Sequence, residues 1–126
     1  MTREVISTDN APRPGGVYSQ GIQWDQLIFT AGQVGVDPAT GQPVAGGVRE
    51  QTRQVLRNVS AILEAAGSDL RHVVKTTCFL ADIGDFAVFN EVYREFFPTD
   101  PPARSTVQVG LVPPWVVEIE AIAVRA

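Results

Sequence analysis

The sequence contains a single cysteine and a single histidine among its 126 residues. One cysteine, Cys78, cannot form an internal disulfide, and together with His72 it cannot close a typical zinc site. Cys78 lies in an apolar segment, which predicts a buried structural cysteine rather than a nucleophile. His72 lies beside charged residues in a predicted loop, where we expect a surface role. We therefore predict neither a metal site nor a Ser-His-Asp triad.

The sequence also lacks a basic cluster, because ten Lys and Arg residues face fourteen Asp and Glu residues and the net charge is -4. Phosphate contacts need clustered cations, so we expect no nucleic-acid partner. No apolar run is long enough to span a bilayer, and the first residues do not resemble a secretory signal. We expect a soluble, cytoplasmic protein without a membrane partner.

The composition is ordinary for a globular protein, with 44% apolar and 19% charged residues, and the length suits a single domain over residues 1–126. Hydrophobic periodicity predicts the order β-β-α-β-α-β-β. The predicted strands cover 17–24, 27–31, 73–80, 103–109 and 115–124, and the predicted helices cover 48–66 and 85–97. Residues before these elements should form an irregular arm, and residues 32–47 a long loop. This order fits an α+β sandwich with two helices on one face of the sheet.

The last two strands carry polar residues of particular interest, and a turn at 110–114 suggests that they pair as an antiparallel hairpin. Side-chain alternation would then gather five polar residues on one face: Arg104, Thr106, Gln108, Glu118 and Glu120. The helices cannot cover this second face, which also carries Val116 and Ile122. We therefore expect it to be a subunit interface, with a pocket near the seam.

Each candidate residue has a functional and a structural interpretation. Arg104 could hold a small organic acid bidentately, or it could form an ion pair with Glu118 or Glu120. Glu118 could activate a water as a general base, or it could belong to that same ion pair. Tyr18 could line a pocket or simply pack, and the Gly32 N–H could face a ligand or belong to a plain turn.

Several short motifs, in their order and spacing, carry a resemblance to a known family. They include GVYSQ at 16–20, TAGQ at 30–33, DPATG at 37–41, VKTT at 74–77, FNEVY at 89–93, PAR at 102–104 and EIEAIA at 118–123. The chain resembles the Rid (YjgF-type) family of enamine/imine deaminases over nearly its whole length. Three positions depart from the usual family pattern, namely Val17, Ala31 and Thr106.

The resemblance implies a chorismate-mutase-like fold that assembles as a homotrimer with clefts between neighbouring subunits. It implies hydrolysis of reactive 2-imino acids, such as 2-iminobutanoate and 2-iminopropanoate, to 2-oxo acids and ammonia without a cofactor. Arg104 matches the arginine that holds the substrate carboxylate, and Glu118 matches the glutamate that positions water. Five further residues match positions that line the family's cleft: Tyr18, Ala31, Gly32, Asn90 and Thr106.

Two other function classes compete with the deaminase. Endoribonuclease activity is attributed to some relatives, but the acidic balance of this chain counts against it. A non-catalytic binder of small 2-oxo acids, or a holdase-like protein, would use the same clefts. The sequence leaves this alternative open, because a binder needs Arg104 as much as the deaminase does.

Overall fold

Two helices pack against one face of a six-stranded mixed sheet in the computed structural model, which describes residues 2–126. The elements are β1 Arg3–Ile6, β2 Gly21–Trp24, β3 Leu27–Thr30, β4 Val36–Asp37, β5 Gln42–Pro43, α1 Gly47–Ala65, β6 Val73–Leu80, α2 Phe86–Phe96, β7 Ala103–Gln108 and β8 Val117–Val124. The strand order in the sheet is β1-β2-β3-β8-β6-β7, while β4 and β5 form a separate small hairpin. The predicted α+β class is confirmed.

Helix α1 forms where the sequence repeats apolar residues at three- and four-residue steps. Its stripe, which includes Val55, Leu56, Val59, Ile62 and Leu63, is fully buried against the sheet. The helix ends in a Schellman motif, in which the N–H of Gly67 donates to Glu64 O and that of Ser68 to Leu63 O. Gly67 has φ +79°, which favours a residue without Cβ. Within residues 2–126, no helix is long and apolar enough to cross a membrane.

Helix α2 packs beside α1, and its buried side chains are Phe89, Val92 and Tyr93. Phe86, in the first turn of the helix, is 38% exposed. Asp85 occupies the N-cap position but makes no capping hydrogen bond with its side chain. The 3-10 turn at Ile83–Asp85 begins instead at Asp82, whose side chain accepts from Gly84 N.

The predicted pairing of the last two strands is wrong. Strand β6 lies between them, parallel to β7 and antiparallel to β8. Parallel neighbours need a crossover connection, and α2 supplies it between β6 and β7. Arg104 therefore lies level with Thr76, whereas Glu118 lies level with Phe79. Thr76 faces the helices and Phe79 faces away from them, so the arginine and the glutamate occupy opposite faces of the sheet.

The arm and the long loop contain more regular structure than predicted. Arg3–Ile6 forms an edge strand paired with β2, although this segment was expected to be irregular. The loop at 32–47 includes the β4–β5 hairpin. The final strand begins at Val117 instead of residue 115, and Val116 packs against the core cluster instead of lying on the uncovered face.

The face of the sheet that the helices leave uncovered is largely apolar. Its exposed side chains include Val5, Trp24, Leu27, Phe29 and Val107. Phe29 lies level with Ile122, so apolar contacts continue from β3 onto β8. Glu118 and Glu120 on β8 separate the apolar side chains of β1, β2 and β3 from Val107, and an exposed apolar patch such as that on β1, β2 and β3 is typical of a protein–protein interface.

Candidate active site

Arg104 lines a cavity of about 350 Å³ on the helix side of the sheet, which we call the Arg104 pocket. Its guanidinium lies over the Tyr93 ring, with Cζ 4.6 Å from the ring centroid, and also over Phe86 and Phe89 at 5.5 and 5.6 Å. Nη1 donates a hydrogen bond of 2.9 Å to Oδ1 of Asn90. Helix α2 supplies all four of these contacts, and stacking on aromatic faces stabilises a guanidinium in one orientation.

Glu118 lines a second cavity of about 550 Å³, which we call the Glu118 pocket. The lining residues come from three segments of the chain: Tyr18 before β2, Ala31, Gly32 and Val34 after β3, and Gly110, Leu111, Val112 and Trp115 before β8. Most of these side chains are apolar. The carboxylate therefore faces a cavity in which few other groups can compensate its charge.

The Glu118 carboxyl group packs directly on the backbone of Gly32. A Cβ placed on Gly32 would lie only 2.9 Å from Glu118 Cδ and 3.1 Å from Cγ, so a larger residue would displace the glutamate. Burial raises the pKa of Glu118, and the negative charge of Glu120 on the same strand raises it further. A carboxylate with a raised pKa accepts a proton more readily, which is the property a general base requires.

The alternative of a structural ion pair between Arg104 and these glutamates is wrong. Within the part of the chain that the structure describes, Arg104 has no carboxylate within salt-bridge distance. The opposite-face arrangement explains this, because neither Glu118 nor Glu120 can reach the helix side. Arginine has five N–H donors, and the contact with Asn90 occupies one of them.

Thr106 follows Arg104 on the same face of β7, level with Cys78. Its Oγ1 is buried and has no hydrogen-bond partner among residues 2–126. The Cys78 thiol lies close enough to the Thr106 hydroxyl for the hydroxyl to affect its pKa, but no hydrogen bond of normal geometry joins the two groups, so the hydroxyl keeps an unused hydrogen-bonding capacity. Cys78 is buried as expected, and burial raises the pKa of its thiol to about 11, so the thiolate nucleophile is scarce at neutral pH.

Tyr18 lies at the boundary between the Glu118 pocket and a neighbouring cavity of about 500 Å³ lined by the arm. Its hydroxyl accepts a hydrogen bond of 3.2 Å from Gly15 N. Buried Gln20 holds the arm in place, since its side-chain amide donates to Thr8 O and Pro12 O and its Oε1 accepts from Thr8 N.

His72 binds the carboxylate of Asp69 at 2.8 Å, remote from both pockets, which agrees with its expected surface role. No group of three or more His, Cys, Asp or Glu side chains in residues 2–126 could hold a metal ion.

Sequence reasoning missed the wall formed by Leu111, Val112 and Trp115, because residues 110–114 were interpreted only as a turn and Trp115 only as the start of the last strand. Sequence reasoning also gave no role to Gln51, whose side chain makes hydrogen bonds to the backbone of Pro114 and Val116. The sequence signal for such a role was an uncharged amide beside the apolar stripe of α1. A buried amide side chain commonly forms hydrogen bonds with backbone groups that lack another partner.

Comparison with known proteins gives a consistent family signal. A family model described as Endoribonuclease L-PSP matches residues 8–125. A RutC family protein of Pyrococcus horikoshii is 52% identical over 98% of this chain and 98% of its own length. The 2-iminobutanoate/2-iminopropanoate deaminase of mouse is 52% identical over 99% of this chain and 93% of its own length.

Solved structures share the fold as well. The crystal structure of TdcF from E. coli, determined with bound serine, superposes with a TM-score of 0.92 at 44% identity. The match covers 98% of this chain and 99% of TdcF. Such coverage includes both pockets and the segments that line them.

Proposed function

The chain belongs to the Rid family, and on this premise we propose that it is a 2-iminobutanoate/2-iminopropanoate deaminase. The enzyme hydrolyses reactive 2-imino acids to 2-oxo acids and ammonia. Full-length relatives at about half identity carry this activity in their names, among them the mouse deaminase. The roles of individual residues, the assembly and the cytoplasmic location are parts of the proposal.

The observation that chiefly supports an acid substrate is the state of Arg104. Its guanidinium is fixed by aromatic rings and Asn90, and it has no acidic partner among the described residues. The free donors match the two oxygens of a carboxylate, which a guanidinium binds bidentately. We assign Arg104 to the substrate carboxylate, with Asn90 holding the guanidinium. The unpartnered Thr106 hydroxyl supplies a further hydrogen bond in the same region.

Glu118 acts on the attacking water in this proposal. The carboxylate accepts a proton from water as the water oxygen bonds to the imine carbon, and the C=N π electrons move to nitrogen. Glu118 returns this proton to the nitrogen, which completes the neutral carbinolamine. The carboxylate then accepts the hydroxyl proton and transfers it to the nitrogen as the C–N bond breaks and the C=O bond forms, so that the nitrogen leaves as ammonia. An imine is already electrophilic, so positioning and electrostatics are sufficient. Tyr18, Ala31 and Gly32 shape the cavity around this water.

We further propose that one active site combines Arg104 of one subunit with Glu118 of a neighbour in a homotrimer. The two residues lie on opposite faces of the sheet within one chain, so a single chain does not bring them together. The exposed apolar face with Phe29 and Val107 provides a surface that a second copy could cover.

The family model carries an endoribonuclease description, and a non-catalytic binder would also need a carboxylate anchor. The net charge of -4 disfavours an RNA groove. The bound serine in TdcF is compatible with either a binder or a deaminase, so an activity measurement has to separate the two.

The first test is a coupled assay in which an amino-acid oxidase generates the imine and the enzyme accelerates its loss. We expect Arg104→Ala to lower kcat/KM by about 10²- to 10⁴-fold, because two charge-assisted hydrogen bonds of about 1.5–3 kcal/mol each are lost. Arg57→Ala, on the exposed side of α1, is the matched control and should retain full activity. A folded wild type without acceleration would support the binder instead.

The composite site is tested by mixing subunits. Arg104→Ala and Glu118→Gln chains are each expected to be inactive when assembled alone. Random mixed trimers should recover about one quarter of the wild-type activity per chain, since each mixed trimer restores one cleft. No recovery from verified mixed oligomers would place both residues in the same subunit's site and contradict the composite arrangement.

A further inference from the structure

We infer that Gln51 is a positioning residue for the reaction, because its side-chain amide fixes the segment that forms the wall of the Glu118 pocket. The inference rests on the proposed deaminase function for its effect on turnover. Gln51 lies on α1, outside both pockets, and does not line either of them. It therefore acts through other residues and not on the substrate.

Both polar atoms of the Gln51 side-chain amide make hydrogen bonds. Nε2 donates to Pro114 O at 2.9 Å, and Oε1 accepts from Val116 N at 3.0 Å. These two bonds bracket Trp115, which lines the Glu118 pocket. The side chain is 4% exposed, so water does not compete with the contacts. A buried amide that satisfies donor and acceptor together holds its partner segment in one arrangement.

The wall segment, residues 109–116, has few other attachments to the rest of the chain. Val109 N donates to Leu80 O and Ala81 N donates to Val116 O, so backbone bonds hold only its two ends. The prolines at 113 and 114 cannot donate at all. In residues 2–126, no side chain other than that of Gln51 hydrogen-bonds to this backbone.

Gln51 also contacts the opposite side of the pocket. A Cβ on Gly35 would lie 2.9 Å from Gln51 Cγ, so the glutamine packs directly on the Gly35 backbone. The preceding residue, Val34, lines the Glu118 pocket. The Gln51 side chain thus lies between the segment after β3 and the segment before β8. Its position determines the distance between these two segments across the pocket.

The test compares Gln51→Met with Thr52→Val on the same helix. Methionine keeps approximate length and loses both hydrogen bonds. Thr52 is fully buried and bonds only Val48 O within α1, so its replacement removes a buried hydrogen bond without reaching the wall segment. Both variants are made in a Trp24→Phe background, in which Trp115 is the only tryptophan. Activity of this background is verified first against wild type.

We expect Gln51→Met to lower kcat by about tenfold or more, because displacements near 1 Å reduce rates by up to 10²-fold. Trp115 emission should shift to longer wavelength and become more accessible to iodide. Thr52→Val should keep kcat within about twofold and keep the emission of the background, at comparable loss of Tm. If Gln51→Met does not fold, Gln51→Asn keeps the amide but shortens the side chain by one methylene, so it should weaken both hydrogen bonds and give the same changes in weaker form.

Unchanged emission and unchanged kcat in the Gln51 variant would overturn the inference. Equal losses of kcat in the Gln51 and Thr52 variants would also overturn it, since the effect would then be general destabilisation. An inactive wild type would refute the proposed function, whereas the emission of Trp115 would still decide whether Gln51 holds the wall.

Discussion

Replacing Gly32 with alanine tests whether the position of the Glu118 carboxyl controls the rate. Gly32 is not among the residues with positive φ, so alanine introduces no backbone strain. The added methyl group instead meets the glutamate, with Cδ at 2.9 Å and Cγ at 3.1 Å. The perturbation is therefore a single steric contact between two residues of the same pocket.

The size of the effect follows from these distances. Glu118 Oε2 lies closest to the added carbon, and carbon atoms in contact prefer about 3.5–4.0 Å, so the carboxyl group must move by at least about 0.6–1 Å. A displacement of this size at a catalytic group reduces the rate by about 10²-fold, which is about 2.7 kcal/mol of transition-state stabilisation. Folding should change little, because removing a glycine restricts the unfolded chain and offsets part of any crowding.

The assay is the coupled imine hydrolysis, followed at saturating and at low substrate to separate kcat from KM. Gly110→Ala is the matched control, since Gly110 lines the same pocket and a Cβ there would meet nothing within 4 Å. We expect kcat to fall only in the Gly32 variant. If Gly32→Ala retained wild-type kcat while Glu118→Gln was inactive, the tight contact would have no bearing on the reaction.

Two further predictions concern charge and burial. Glu120→Gln removes a negative charge that, together with burial, raises the pKa of Glu118. The acidic limb of the pH–rate profile, where the Glu118 carboxylate becomes protonated, should therefore move to lower pH. A limb that stayed in place or moved to higher pH would contradict this prediction. Tyr93→Phe deprives the Thr76 hydroxyl of its 2.7 Å partner and should lower the free energy of unfolding by about 1–3 kcal/mol in urea titrations. The double variant with Thr76→Val should recover part of that loss, and no recovery would argue against the pair.

The sequence was sufficient for the two helices and for strand β6, because their signals are local. The stripe of α1 and the segment at 73–80 need only periodicity and an apolar run. The pairing of β7 was different, since its neighbour is decided by where α2 carries the chain. A turn-like segment at 110–114 favoured a hairpin, and no local feature shows that β6 intervenes.

That single error determined how the site was first interpreted. Arg104 and Glu118 were selected as the residues of interest, and they were placed on one face, where an ion pair was plausible. Register within a sheet fixes the face of every side chain, so a wrong neighbour moves a residue to the wrong environment. The edge strand at Arg3–Ile6 was missed for a related reason, because a short strand is stabilised by its pairing partner and not by its own pattern.

The back-to-back placement of Arg104 and Glu118 has a consequence for how activity depends on protein abundance. With the proposed composite site, an isolated chain carries two half-sites and completes neither of them. Specific activity would then decline on dilution below the dissociation constant of the assembly. A newly synthesised chain would be inactive until it assembled with other subunits. The rate of turnover per chain would therefore depend on the concentration of the enzyme itself.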